Sequence, residues 1–153
     1  MSTTITVRQA VLSDLEALAP LFDGYRQFYG RASDLHAATE FLSARFNHDE
    51  SVLFIAYEDN KAVGFTQLYP SFSSVSLARI FVLNDLFVDE HARRKGAASK
   101  LMAASVDYAS SLGAVRVSLS TATTNEAAQR LYQDAGWQRD ELFFVYHFAI
   151  PST

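Results

Sequence analysis

The densest chemical signal in the sequence is a basic loop that leads into a stretch of small residues. The loop consists of Arg93, Arg94 and Lys95, and the small residues are Gly96, Ala97, Ala98 and Ser99. The unpaired amides at a helix N-terminus carry partial positive charge, and small side chains let a phosphate approach them. We therefore predict a pyrophosphate site, with a solvated basic loop as the alternative. Neither a P-loop nor Gly-x-Gly-x-x-Gly is present.

Alternating and helical patterns of apolar residues predict the elements that position this loop. A capping box from Ser13 to Glu16 opens the first predicted helix. Strands are predicted at residues 5–8, 51–58, 62–69, 78–88, 114–119 and 143–150, and helices at residues 13–29, 33–46, 96–112 and 125–135. This order indicates an α/β (α+β) fold with a mixed, largely antiparallel sheet flanked by helices, and it disfavours a doubly wound dinucleotide fold.

Composition limits the classes of function that are open to this chain. A length of 153 residues predicts one domain, and the net charge of -4 argues against a nucleic-acid partner. The sequence has no Cys, and its four His are scattered, so we expect no metal. We found no apolar run of ~20 residues and no signal peptide, so we expect a cytoplasmic protein that does not enter a membrane.

Two segments resemble one known family. Residues 93–98 (RRKGAA) match Arg/Gln-x-x-Gly-x-Gly/Ala, the acetyl-coenzyme-A signature of the GNAT N-acetyltransferase superfamily. Residues 125–137 (NEAAQRLYQDAGW) resemble the family pattern Asn-x-x-Ala-x-x-Leu-Tyr-x-x-x-Gly-Phe/Trp. The predicted order of elements is also similar to that of the family, so the resemblance covers nearly the whole chain.

The resemblance implies a role for each matching residue. Backbone groups of Leu86, Phe87 and Val88 would pair with the pantetheine arm of acetyl-CoA like an added strand. Amides between Arg93 and Ser99 would hold the pyrophosphate. Asn125 would bond the pantetheine or orient its own helix.

Tyr132 and Val88 have further implied roles in chemistry. Attack of an amine on the thioester must expel a thiolate, and a hydroxyl beside the sulfur, here that of Tyr132, can protonate it. The Val88 amide would polarise the thioester carbonyl. We expect direct transfer of the acetyl group to an amine of a small molecule or peptide. The alternative for Tyr132 is a place in the core.

The general base is less directly indicated. The diamine acetyltransferases of the family carry Leu-Glu-Asp-Phe-Phe-Val where this chain has Leu-Asn-Asp-Leu-Phe-Val at residues 83–88. Asn84 therefore replaces a glutamate and cannot act as a base. Asp85 is the nearest carboxylate, although strand alternation predicts that it lies on the opposite face from Asn84. Asp85 could bind a cationic substrate, accept a proton through water, or be structural.

The first two helices are the expected source of acceptor specificity. Tyr25, Tyr29, Asn84 and Asp85 are the candidates for acceptor binding, with Arg26, Arg31, His36, Glu40 and Tyr69 as further possibilities. The apolar segment 143–150 predicts a strand that a partner subunit covers, so we expect a homodimer. A non-catalytic module that senses acetyl-CoA and a structural dimerising domain are the alternatives to an enzyme.

Overall fold

The computed structural model describes residues 4–152. Its strands are β1 (Ile5–Gln9), β2 (Val52–Glu58), β3 (Lys61–Ser73), β4 (Ala78–Val88) and β5 (Val117–Ser118). Its helices are α1 (Leu15–Phe28), α2 (Leu35–Asn47), α3 (Ala97–Ser111) and α4 (Glu126–Asp134), with short 3-10 turns at Leu12–Asp14 and Glu90–Ala92. The chain divides into two compact units, one ending at Ser120 and the other beginning at Thr121. The single-domain interpretation stays a prediction.

The five strands form one sheet in the order β1-β2-β3-β4-β5. The first three pairings are antiparallel, and only β4 and β5 run parallel. The predicted mixed, largely antiparallel sheet is therefore confirmed. The hairpin predicted for β2 and β3 is confirmed. A short turn also joins β3 to β4, so these two strands pair as neighbours as well.

Helices cover both faces of this sheet. Leu18 of α1 and Leu42 of α2 pack with Ile55 and Phe65 in the buried core of one face. Strand alternation sends Phe54 to the other face, where its ring meets that of Tyr108 from α3 at 5.8 Å. Burial of these large apolar side chains holds the layers together.

Strand β4 carries a bulge at Asn84. Gln67 of β3 lies opposite Asp85, but Leu68 lies opposite Leu83, so Asn84 is an extra residue on β4. A bulge interrupts the alternation of side chains between the two faces. Asn84 Nδ2 consequently donates to Asp85 Oδ1 at 2.8 Å, and the prediction that the two side chains lie on opposite faces is wrong.

The start of α1 also differs from the prediction. A 3-10 turn precedes the helix, and the Asp14 carboxylate, rather than the Ser13 hydroxyl, accepts a bond from a backbone amide, that of Val11, at 2.8 Å. Arg8 holds this carboxylate with bonds of 2.7 and 2.8 Å. The charge-assisted pair makes Asp14 a stronger acceptor than a serine hydroxyl, and it lowers the pKa of the Asp14 carboxyl.

The last two predicted strands are shortened or missing. β5 contains only Val117 and Ser118 instead of residues 114–119. Residues 143–150 form no strand, and their apolar side chains are exposed. β-propensity alone does not make a strand, because the backbone groups need a neighbouring strand to bond, and the structure assigns none to residues 121–152. The homodimer stays a prediction.

Candidate active site

A cleft of about 420 Å³ opens between α1, α2 and the adjoining parts of β3 and β4. Aromatic rings, one arginine and one carboxylate share its wall. Its lining residues are Phe22, Tyr25, Arg26, Ala37, Ala38, Phe41, Tyr69, Asn84 and Asp85. Small-molecule sites in proteins typically combine this apolar lining with a few polar groups.

Helix α1 presents Phe22, Tyr25 and Arg26 to the cleft because residues three and four apart share one helix face. The Tyr25 hydroxyl donates to the main-chain oxygen of Asn84 at 3.2 Å. The Tyr25 ring packs edge-on against Phe65 with centroids 5.8 Å apart. The hydrogen bond of the hydroxyl and this ring contact together hold the Tyr25 side chain in place. Tyr29 is mostly exposed and does not line the cleft, although its ring touches that of Tyr25.

Asp85 is the polar centre of the cleft. The residue is only 2% exposed. Gln67 Nε2 donates to one carboxylate oxygen and Asn84 Nδ2 to the other. The Gln67 carbonyl in turn accepts from the Ser51 hydroxyl at 2.7 Å, which fixes the orientation of the amide. Thr66 donates to the main-chain oxygen of Asp85 at 2.7 Å.

This environment changes the acidity of Asp85. Burial raises the pKa of the Asp85 carboxyl, and the hydrogen bonds from Gln67 and Asn84 offset part of that rise. Burial and the nearby Asp85 charge raise the pKa of Tyr69 to about 12. No ion pair involves Asp85 within the described part of the chain. A buried carboxylate without a cationic partner among residues 4–152 is suited to binding a cation.

After the bulge, residues 86–88 of β4 pair with β3 on one side and with no other described strand, and that second side is called here the open edge. The pairing of β4 with β5 extends only over Phe81 and Val82. A Cβ added to Gly64 of β3 would stand 2.9 Å from the Phe87 oxygen, so the Phe87 carbonyl faces β3. Main-chain groups alternate along a strand, so those of Leu86 and Val88 point away from β3. The role expected of residues 86–88 toward the pantetheine arm stays a prediction.

Helix α3 begins without a side-chain cap. Its N-cap is Gly96, which has a φ of +86° and no side chain to offer. By contrast, Asp34 caps α2 by accepting from the Ala37 amide at 3.0 Å. The first intrahelical bond of α3 is made by the Lys100 amide, so the amides of the first turn are available to an anion.

The three basic residues before α3 are not equivalent. Arg93 Nε donates to the Val88 oxygen at 2.9 Å, and the Arg93 guanidinium lies 5.9 Å from the ring centroids of both Phe28 and Phe87. Lys95 Nζ bonds Glu58 at 2.8 Å. Arg94 is exposed and has a positive φ of 66°. Arg93 thus braces the open edge of β4, a role that the basic pattern alone did not indicate.

Asn125 and Tyr132 lie in the second unit. Asn125 caps α4, since its side chain accepts from the Ala128 amide at 3.1 Å, which agrees with the expectation that it orients its helix. Tyr132 is half-buried, and its ring lies 6.3 Å from that of Trp137. Their expected roles toward acetyl-CoA stay predictions from the sequence motif.

Sequence reasoning missed Gln67, which holds the central carboxylate of the cleft. The signal that could have identified it is the polar pair Thr66-Gln67 within an apolar part of β3. Buried polar side chains need hydrogen-bond partners, so such a pair indicates a polar neighbour in the core. The possible contributions of Arg26 and Tyr69 agree with their places in the cleft lining. His36 and Glu40 are exposed and do not line it.

Comparison with known proteins gives a consistent result. Residues 16–137 match the acetyltransferase (GNAT) family. The chain is 49% identical over 148 residues to YhfO of Bacillus subtilis, named as an uncharacterised N-acetyltransferase, covering 97% of this chain and 99% of YhfO. It is 41% identical over 96 residues to a probable acetyltransferase of Haemophilus influenzae, covering 62% of this chain and 66% of that protein. A crystal structure described as a probable acetyltransferase superimposes with a TM-score of 0.91 at 41% identity, covering 97% of this chain and 99% of that one.

These matches cover both the unit that contains the cleft and the unit that contains α4. The chain therefore belongs to the GNAT family of acetyltransferases, and it is an acyltransferase. The resemblance inferred from residues 93–98 and 125–137 is confirmed. No helix within residues 4–152 is long and apolar enough to cross a membrane.

Proposed function

We propose that this enzyme transfers the acetyl group of acetyl-CoA directly to an amine of a small molecule or peptide. The observation that carries the proposal is the arrangement on β4, where buried Asp85 lies only three residues before Val88 at the open edge. One strand thus carries a carboxylate that suits an ammonium group and backbone groups that suit an acyl-pantetheine.

The donor side is the segment from Leu86 to Ser99, called here the coenzyme segment. The open edge of β4 offers main-chain groups to the pantetheine amides, as in strand addition. The uncapped first turn of α3 offers amides to the pyrophosphate, and the exposed Arg94 adds positive charge. These groups suit the amides and the pyrophosphate of acetyl-CoA in their chemistry.

The acceptor side is the cleft around Asp85, called here the acceptor cleft. An acceptor amine arrives as an ammonium ion, and a buried carboxylate without an internal cation attracts it. The raised pKa of Asp85 also makes it a better proton acceptor than an exposed aspartate. We propose that Asp85 takes this proton, directly or through water.

The reaction then balances in one addition and one elimination. The neutral amine nitrogen attacks the thioester carbon, and the Val88 amide stabilises the oxyanion. The C–S bond breaks as the carbonyl re-forms. The thiolate leaves with a proton from an acid, for which Tyr132 is the candidate from the sequence motif. The nitrogen of the tetrahedral intermediate loses a second proton, which replaces the one that the acid gave. Asp85 then releases the first proton to solvent.

Thermal unfolding with and without acetyl-CoA tests the donor half of the proposal. Ligand at ~100 times its dissociation constant adds about 2.7 kcal/mol of stability. For a protein of this size, the melting temperature should rise on the order of 5 °C. NAD and ATP are the controls and should produce no comparable rise. If the folded protein shows no selective rise in melting temperature, acetyl-CoA is not its acetyl donor, and the structural dimerising domain becomes the favoured alternative.

A second candidate function is a non-catalytic module that senses acetyl-CoA. Asn84 favours it, because it stands where diamine acetyltransferases of the family carry a glutamate base. Release of free thiol from acetyl-CoA in the presence of an amine panel separates the two functions. A melting shift without thiol release on any amine would favour the sensor, whereas amine-dependent release supports the enzyme.

A further inference from the structure

We propose that the acceptor is an amine that also bears a carboxylate, and that Arg26 binds this second group. The inference rests on the proposed function, since it assumes that the amine enters the acceptor cleft. It adds the charge pattern of the acceptor and a residue that selects it.

The first observation is that the cleft holds two opposite charges that do not neutralise each other. Arg26 and Asp85 both line its wall. Yet no ion pair joins them, and over residues 4–152 the Arg26 side chain makes no hydrogen bond or ion pair. A guanidinium and a carboxylate that share one small cleft without pairing favour a ligand that carries both complementary charges.

The second observation is that the other acid near Arg26 is already occupied. The Asp23 carboxylate accepts from the Ser33 hydroxyl at 2.7 Å, the Asp34 amide at 2.8 Å and Gln27 Nε2 at 3.2 Å. These bonds tie α1 to the start of α2. Arg26 attracts the Asp23 carboxylate through space and helps to lower its pKa, but it makes no hydrogen bond to it. Arg26 therefore keeps its five donors for another acceptor.

The third observation is the composition of the wall that Arg26 and Asp85 share. Arg26 lies one helical turn after Phe22 on the same face of α1, and both line the cleft. The wall also contains the aromatic rings of Phe22, Tyr25 and Phe41. The acceptor therefore meets a carboxylate, an apolar wall and a guanidinium within about 420 Å³.

A matched series of amines tests the charge pattern. γ-Aminobutyrate, butylamine and putrescine share a four-carbon chain and differ in the group at the far end. We expect kcat/KM to be on the order of tenfold higher for γ-aminobutyrate than for butylamine, because a guanidinium–carboxylate bond is charge-assisted. Putrescine should be the poorest, because Arg26 repels its second ammonium. Alanine against ethylamine applies the same comparison with the two groups adjacent.

Variants then assign the preference to Arg26. Arg26→Gln should remove the advantage of the carboxylate, and Arg26→Lys should restore part of it. Arg31→Gln is the matched control, because Arg31 is exposed in the loop after α1 and does not line the cleft. It should keep the wild-type order of substrates. The melting shift with acetyl-CoA shows that each variant is folded.

The outcomes separate this inference from the proposed function. Equal rates with and without the carboxylate in both pairs, or a preference that survives in Arg26→Gln, would overturn the role of Arg26. If no amine releases thiol, the proposed function fails instead. In that case, calorimetric titration of γ-aminobutyrate and butylamine still tests the role of Arg26. Tighter binding of γ-aminobutyrate that disappears in Arg26→Gln supports this role. Equal binding of the two amines overturns it.

Discussion

The coenzyme segment offers mainly backbone groups to its expected ligand, whereas the acceptor cleft offers side chains from α1, α2, β3 and β4. In the coenzyme segment, Gly96 leaves the first turn of α3 uncapped, and β4 runs on past the end of its pairing with β5. In the cleft, the Asp85 carboxylate accepts hydrogen bonds from the side chains of Gln67 and Asn84. A site made of backbone groups depends on local conformation, while a site made of side chains depends on how distant segments pack.

This difference predicts that one substitution in the cleft affects chemistry without affecting the coenzyme. Asp85→Asn removes the proposed base and leaves the coenzyme segment unchanged. We expect kcat/KM for the amine to fall by roughly 10²- to 10³-fold, within the range of general base catalysis. The melting shift with acetyl-CoA should stay as in the wild type. Activity within twofold of the wild type would remove Asp85 from the mechanism.

A substitution in the coenzyme segment should do the reverse. Gly96→Ala places a side chain at a φ of +86°, with no neighbouring atom within 4 Å, so its cost is conformational rather than steric. That cost is on the order of 1 kcal/mol, and the first turn of α3 should shift to relieve it. We expect KM for acetyl-CoA to rise several-fold while KM for the amine stays the same, as measured by initial rates.

Gly113→Ala is the control for that experiment. Gly113 follows the other end of α3, has a φ of +76° and likewise has no atom within 4 Å of an added Cβ. The variant should lose similar stability in thermal unfolding but keep its affinity for acetyl-CoA. An equal loss of affinity in both variants would show that the start of α3 has no special role.

The smallest expected effect is a change in pH dependence. A general base works when deprotonated, so the rate falls as the pH drops through the pKa of Asp85. Gln67 lowers that pKa by donating to the carboxylate, and Gln67→Met removes the donor. The pKa should therefore rise further, and the acid limb of the kcat/KM profile should move to higher pH. Tyr25 and Tyr69 face the same carboxylate and stay unchanged.

Thr66→Val tests whether that displacement is specific. The Thr66 hydroxyl bonds the main-chain oxygen of Asp85 rather than its carboxylate. Its removal should reduce thermal stability, because a buried hydrogen bond is lost, but it should leave the acid limb in place. An unchanged pH profile in Gln67→Met would contradict the proposal that Gln67 lowers the pKa of Asp85. An equal displacement in both variants would show that any loss of a buried hydrogen bond near Asp85 shifts the profile.

Much of the fold was predictable because its signals are local. The hairpin of β2 and β3, strand β4 and helix α3 follow from apolar periodicity and from glycines at the ends of elements. The prediction of a strand at residues 143–150 was wrong because strand formation is not a local property. A strand needs a neighbouring strand to pair with, and apolar composition does not reveal whether one is present.

The start of α3 was predictable from the sequence alone, because Gly96 and the small residues after it act through the conformation of their own backbone. The role of the coenzyme segment stays a prediction. Only the tertiary structure could reveal the acceptor cleft. The bulge at Asn84 depends on the register between β3 and β4, and it places Asn84 beside Asp85 against the expected alternation. Gln67 bonds Asp85 from β3, and Arg26 lines the cleft from α1. The packing of α1 on the sheet decides that side chains so far apart in sequence serve one site.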